Sequence, residues 1–167
     1  DLVYILGATN DELAGSEYFS INNETGNTVP KVNSGVNKKL YDAFYNAVQK
    51  NLIASSISIG HGGLGIALAK KAIGGGLGID VSLKNLTGNV TRDDFALYSE
   101  SQGRILLTIA PGNKNDFEAV MKGNKFREIG KITKEPIIKI KGLQGDDILK
   151  LKLDNAVKAY RRTFEGY

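Results

Sequence analysis

"SSISIGHGGLGIALAKKA", residues 55–72, sets a β-like apolar run, four glycines within six residues and a helical pattern back to back. Gly60, Gly62 and Gly65 spell G-x-G-x-x-G between a strand and a helix. Asp80 follows about twenty residues after Gly60, where a dinucleotide fold places its ribose-binding acid. Three features weigh against a dinucleotide-binding (Rossmann-like) domain. Asp80 falls inside the strand-like "LGIDVSL" (77–83) rather than at its end. "GGGLG" (74–78) interrupts the crossover where a regular helix should continue. Further βαβ units do not follow; "REIGKIT" (127–133) and "IIKIKG" (137–142) alternate apolar and polar residues as half-buried strands with no helix between them. Glycine otherwise serves a tight strand-to-helix turn with close packing. It can also build a nest of backbone amides that holds phosphate without a dinucleotide fold. Both uses stay open from the residues, with Gly60, Gly62 and Gly63 as the candidate cofactor-binding positions. His61, the single histidine, has no second histidine or cysteine beside it and reads as an exposed loop residue rather than a catalyst.

Outward from this stretch the elements follow from periodicity. Residues 2–6 read as a strand stopped by Gly7, and Asn10 offers an N-cap for a short helical turn in "NDELAGSEYFS". Residues 20–34, polar and containing Pro30, read as loop. "VNKKLYDAFYNAVQKN" spaces Val36, Leu40, Phe44 (or Ala43) and Val48 as the apolar stripe of a helix. "LIASSISI" is a strand, 64–73 a second helix, "LGIDVSL" a strand and "RDDFALYSE" a short helix ending in a loop. "RILLTIA" is a near-continuous buried strand, followed by a helix around 115–121. The two alternating segments suggest a hairpin across Pro136, and "LDNAVKAYRRTF" closes as a helix. Strands and helices mix without strict alternation. The expected class is α+β, helices packed on a mixed β-sheet.

Composition bounds the function. With 167 residues, 41% apolar and 24% charged, the chain is expected to form one soluble domain, residues 1–167. Cysteine is absent, which excludes disulfides and thiolate metal sites, and one histidine makes a zinc site unattractive. No apolar run reaches the roughly 18 residues of a membrane span, and the expected compartment is the cytoplasm. The net charge of +4 raises nucleic acid as a partner. However, Lys38, Lys39, Lys70, Lys71, Lys150, Lys152 and Lys158 are spread out and read mostly as solvated faces, apart from the aromatics. The chain opens at Asp1 directly on the apolar strand "LVYILG", so it is expected to be the C-terminal part of a longer multidomain chain.

Five blocks in order carry a family resemblance. "ILGATNDELAGSEYF" (5–19) resembles the "GETKDELGGSEYY"-type stretch of the synthetase subunit of formylglycinamide ribonucleotide amidotransferase, phosphoribosylformylglycinamidine synthase II. "VPKVNSGVNKKLYDAFYNAVQKNLIASS" (29–56) looks like its following segment and long helix. "GGLGIALAKKAIGGGLGIDVSL" (62–83) is similar to "GGLAVALAEMAFAGGLG", "LYSESQGRILLTIAP" (97–111) to its "LFSESPGR" block, and "FREIGKIT" (126–133) to its "IGxVT". The resemblance is to the C-terminal-type domain of the second repeat, related to the C-terminal domain of aminoimidazole ribonucleotide synthetase.

The resemblance implies a domain of an ATP- and Mg2+-dependent carbon–nitrogen ligase of purine biosynthesis. That enzyme turns formylglycinamide ribonucleotide and glutamine-derived ammonia into the formylglycinamidine, ADP and phosphate. It implies as partners the N-terminal domains of the parent chain, a glutaminase subunit and a small third subunit. Catalytic histidine and magnesium carboxylates belong to the N-terminal-type domains, so no catalytic or metal residue is assigned here and the fragment is expected to be mainly structural. Glu100, Ser101 and Gln102 are the implied substrate-binding residues, since a Glu-Ser-Gln triplet contacts substrate in the first repeat. Where the second repeat usually has Glu-Ser-Pro, Gln102 takes the first-repeat spelling. The structural alternative has Glu100 capping a loop or pairing with Arg104. The glycine segment departs from the family's "SAHDISDGGL": Ile57, Ser58, Gly60 and His61 replace histidine, aspartate, serine and aspartate. That loss favours Gly62 and Gly63 as turn and packing residues. The other readings are the dinucleotide-binding domain on Gly60-x-Gly62-x-x-Gly65, and a kinase or maturation factor of the same superfamily, which "DELAGSEYF" argues against.

Overall fold

"LVYIL" and "ILLTI" are apolar without alternation because both of their faces are covered. These segments are β1 (Leu2–Leu6) and β4 (Ile105–Ile109), neighbours near the middle of one sheet. Val3, Ile5 and Leu106 enter one core, while Tyr4, Leu6, Ile105, Leu107 and Ile109 enter the other. The period-2 pleat sends successive side chains to opposite sides, so each strand feeds both cores. The computed structural model describes residues 1–162.

In chain order the remaining elements are α1 (Glu17–Ile21), α2 (Ser34–Gln49), β2 (Ser55–Ser58), α3 (Gly63–Gly75), β3 (Gly78–Ser82) and α4 (Asp93–Tyr98), all before β4. After it come a 3-10 turn (Pro111–Asn113), α5 (Lys114–Met121), β5 (Phe126–Thr133), β6 (Ile137–Lys141), β7 (Asp147–Lys152) and α6 (Leu153–Arg161). The strands order as β2-β4-β1-β5-β3-β6-β7, antiparallel at every pairing except β3 with β6. α3, α4 and α6 cover one face through Leu64, Leu68, Leu97 and Leu153. α2 and α5 cover the other through Leu40, Ala43, Ala47, Phe117 and Met121. The α+β class with helices on a mixed sheet is what the sequence led us to expect.

The topology overturns the dinucleotide reading. β2 and β3, which flank α3, are not neighbours; β4, β1 and β5 lie between them. A dinucleotide crevice needs adjacent parallel strands, and the one parallel pair, β3–β6, is elsewhere. Asp80 sits mid-strand, level with Lys131 of β5 and Lys139 of β6. Gly76 (φ 61°) ends α3, with Leu77 N–H donating to Ala72 O, a left-handed cap of the kind that stops helices.

Four local expectations also change. No hairpin crosses Pro136, because β3 inserts between β5 and β6. Asn10 does not cap a helix: its N–H donates to Ser101 Oγ and its Oδ1 accepts from Asn89 N–H. α1 starts later, with Ser16 Oγ accepting from Phe19 N–H. On α2 the buried stripe is Leu40, Ala43 and Ala47, leaving Val36 and Val48 exposed. β7 is an added strand whose alternation is broken by a bulge: Leu149 pairs with Ile140 and Asp147 with Lys141, leaving Ile148 extra. The closing helix is present to Arg161; Thr163 and Phe164 of its expected span lie outside the described residues.

Candidate functional site

The "SESQGR" loop between α4 and β4 is built around a buried cation. Arg104 is 2% exposed, and its guanidinium donates to Ser101 O (2.9 Å), Thr9 Oγ1 (3.1 Å) and Ser99 O. No carboxylate oxygen lies within salt-bridge distance among the described residues. Burial lowers its pKa to about 10, opposed by the nearby charges of Glu12 and Glu100, so it remains protonated at neutral pH. It thereby fastens residues 99–104 to the segment after β1.

Glu100 and Ser101 are used inside the fold. Glu100 Oε1 accepts the N–H of Gly62 (2.9 Å) and of Glu17 (3.0 Å), so one carboxylate caps the starts of α3 and α1. A carboxylate at a helix N-terminus meets orphan N–H groups and the positive end of the dipole. The capping alternative is therefore what the geometry shows, and the direct partner is not Arg104. Ser101, 1% exposed, accepts the Asn10 N–H. Gln102 alone of the triplet is exposed, its Nε2 donating to Glu100 O at 3.1 Å.

The glycine turn meets the same loop from the other side. Gly62 and Gly63 have φ of 77° and 65°, where side chains are disfavoured. A Cβ on Gly63 would lie 2.6 Å from the carbonyl oxygens of both Leu97 and Ser99. Glycine is thus required for the turn and for the approach of α3 to the end of α4. The Gly63 N–H donates to Gly60 O (2.9 Å), and the Gly62 N–H is taken by Glu100. A phosphate at the start of α3 would compete with Glu100 for that amide. His61 is exposed, with Nδ1 at 3.6 Å from Glu100 Oε2 and 3.7 Å from Glu17 Oε1.

Gln102 opens onto a cleft of about 750 Å³, lined also by Lys31, Lys39, Lys125, Glu12 and Asn33. Lys31 precedes α2, Lys39 lies in it, and Lys125 precedes β5. Sequence reading passed over this set because each lysine comes from a different segment, with no local pattern to join them.

Comparison with known proteins places this geometry. Residues 1–142 match the family described as AIR synthase related protein, C-terminal domain. The chain belongs to that family. A Methanocaldococcus jannaschii protein named phosphoribosylformylglycinamidine synthase subunit PurL is 34% identical over 166 residues, covering 98% of this chain and 22% of its own length. The Methanococcus aeolicus protein of the same name is 32% identical over 165 residues, again covering 98% and 22%. The chain therefore spans about a fifth of these curated relatives. Among solved structures, Thermotoga maritima PurL complexed with FGAR superposes with a TM-score of 0.80 at 20% identity, covering 93% of this chain and 27% of that one. Escherichia coli HypE, a hydrogenase maturation protein, gives 0.65 at 15% identity, covering 91% and 49%. At those identities the likeness speaks for the fold. The AIR synthase C-terminal fold here keeps its glycine turn and "ESQGR" loop locked together through Glu100.

Proposed function

We propose that this AIR synthase C-terminal domain is part of the ATP-dependent ligase that converts formylglycinamide ribonucleotide and ammonia to the formylglycinamidine. In that reading residues 1–167 are one domain of a longer cytoplasmic chain. The missing N-terminal domains carry ATP and Mg2+, and a glutaminase subunit and a small third subunit complete the complex. Relatives 34% and 32% identical carry the synthase name, which supports the reading. The observation that carries it is the division of labour in the triplet: Glu100 and Ser101 are buried and hold the loop, while Gln102 is presented to the cleft.

Phosphorylation of the substrate amide oxygen makes phosphate the leaving group that ammonia displaces, so positioning and exclusion of water dominate over acid–base work. This chain's part is to orient substrate through Gln102, with Glu100 and Arg104 as positioning residues that keep the loop rigid. Among the described residues no three His, Cys, Asp or Glu side chains gather to hold a metal ion. The Gly62 amide that a nucleotide phosphate would use already serves Glu100.

In the full-length enzyme, Gln102→Ala is expected to raise KM for formylglycinamide ribonucleotide about two- to tenfold, the worth of one hydrogen bond, with the melting temperature unchanged. Steady-state kinetics with ammonia as nitrogen donor read this out. Unaltered KM and kcat would remove Gln102 from the substrate site and the reading with it.

A further inference from the structure

Most lysines of this chain lie open to water, where an ammonium needs no partner. Among the described residues three are partly buried: Lys71, Lys114 and Lys139. For two of them the fold supplies an acid, Glu128 at 2.6 Å from Lys114 and Glu135 at 2.8 Å from Lys139. The hydrogen bond to that acid raises both pKa values. Lys71 is the exception. No carboxylate lies within 4 Å of its Nζ among the described residues. An ammonium that loses water without gaining a counter-charge is disfavoured against the neutral amine. Burial accordingly lowers its pKa from 10.5 to about 8, and no charged neighbour contributes to the shift.

What surrounds this amine is a short chain of hydroxyls. Lys71 Nζ, on α3, donates to Ser55 Oγ of β2 at 2.6 Å, and Ser55 Oγ lies 2.7 Å from Thr108 Oγ1 of β4. Ser55 and Thr108 are register partners, and Thr108 is 3% exposed, so the inner hydroxyl is fixed by the sheet. β2 is an outer strand and Ser55 is exposed, which leaves the amine reachable from solvent on that side. Desolvation that frees the lone pair, combined with access, is what makes a lysine a nucleophile.

We propose that Lys71 is a modification site: its Nζ, held against Ser55 and Thr108 without a counter-ion, accepts the acyl group of a small acyl phosphate. The neutral Nζ adds to the carbonyl carbon, the C–O bond to phosphate breaks, and phosphate leaves with the electron pair. The surplus proton on nitrogen goes to water, so amine and acyl phosphate become amide, phosphate and a proton. No acid stands at the amine to protonate a leaving group, so the donor has to bring one that departs unaided, as phosphate does. The amide product is uncharged, which ends the cost of holding a charge in a partly buried place. The inference is independent of the ligase reading.

The test treats the folded chain with limiting acetyl phosphate at pH 8 and maps the acetyl groups by peptide mass spectrometry. At that pH roughly half of Lys71 is neutral, against roughly one in three hundred for a lysine at its ordinary value. Lower basicity and partial burial take back much of that advantage. Acetylation at Lys71 is therefore expected about tenfold ahead of exposed Lys70, and further ahead of Lys114 and Lys139. The lead should disappear in concentrated urea, and Lys71→Arg should remove the fast phase of phosphate release. Equal rates at Lys71 and Lys70 overturn the inference, as does a lead that survives unfolding. An acetyl group found on Ser55, an ester that hydroxylamine removes, overturns it too: there Lys71 would be the base and Ser55 the acceptor.

Discussion

At the scale of single residues, burial decides chemistry more than residue type does. Lys71 belongs to the lysines that looked solvated, yet it is half-buried on α3, with Nζ donating to Ser55 Oγ at 2.6 Å. Burial lowers its pKa from 10.5 to about 8. The folded chain therefore releases this proton near pH 8, while the unfolded chain keeps it to about 10.5. Between those limits the unfolded state binds more protons, so the residue's contribution to stability rises with pH. Urea midpoints at pH 7 and pH 10 should rise more, or fall less, for the parent than for Lys71→Met. Parallel profiles would show that Lys71 keeps its proton in the fold. Tyr4 shows the same influence: burial first, then hydrogen bonds to Glu118 and Glu128, pushes its hydroxyl far up, so it stays protonated at any working pH.

At the scale of the element, α3 has glycine at both ends for different reasons. Gly76 ends the helix at φ 61° with open space where a Cβ would stand, so Gly76→Ala should cost only the left-handed backbone term, about 1–2 kcal/mol. Gly63 has φ 65° and also the Leu97 and Ser99 carbonyls at 2.6 Å from that position. Gly63→Ala should add a steric cost to the same term, for a total of about 2–5 kcal/mol. Thermal melts of the two variants compare them directly. Equal melting temperatures would show that the approach of α3 to α4 does not require glycine. The helix itself was legible from its apolar run, and so was its stop at "GGGLG"; the carboxylate on its first turn was not. Glu100 is 38 positions away from Gly62, and no spacing rule links a loop acid to a helix that far back.

At the scale of the molecule, two cores share one sheet. Leu68 and Phe117 are both fully buried, on opposite faces, and each packs against side chains of β1 and β4 or their neighbours. Leu68→Ala should cost about 2–5 kcal/mol and Phe117→Ala about 3–5 kcal/mol. Because the central strands supply both cores, either variant should still unfold in one transition, with far-UV circular dichroism and tyrosine fluorescence coinciding. The double variant should equal the sum of the two within about 0.5 kcal/mol. A biphasic curve for Phe117→Ala would mean that the faces fold independently.

What the amino-acid order determined by itself is local: the apolar strands, the helical stripes, the glycine turn and the α+β class. Each of these follows from the periodicity of a contiguous stretch, where the burial of one face is written in neighbouring residues. Which strand lies beside which was decided only in three dimensions. Insertion of β3 between β5 and β6 replaced an obvious hairpin, and a bulge hid β7. The site followed the same rule. Gln102 could be named from the family resemblance of its triplet, but its separation from Glu100 in role depends on which side chain the fold buries. Lys31, Lys39 and Lys125 line one cleft only because the start of α2 and the segment before β5 border it. Residues far apart in the chain come to line one cleft through tertiary packing, and a one-dimensional pattern carries no record of that proximity.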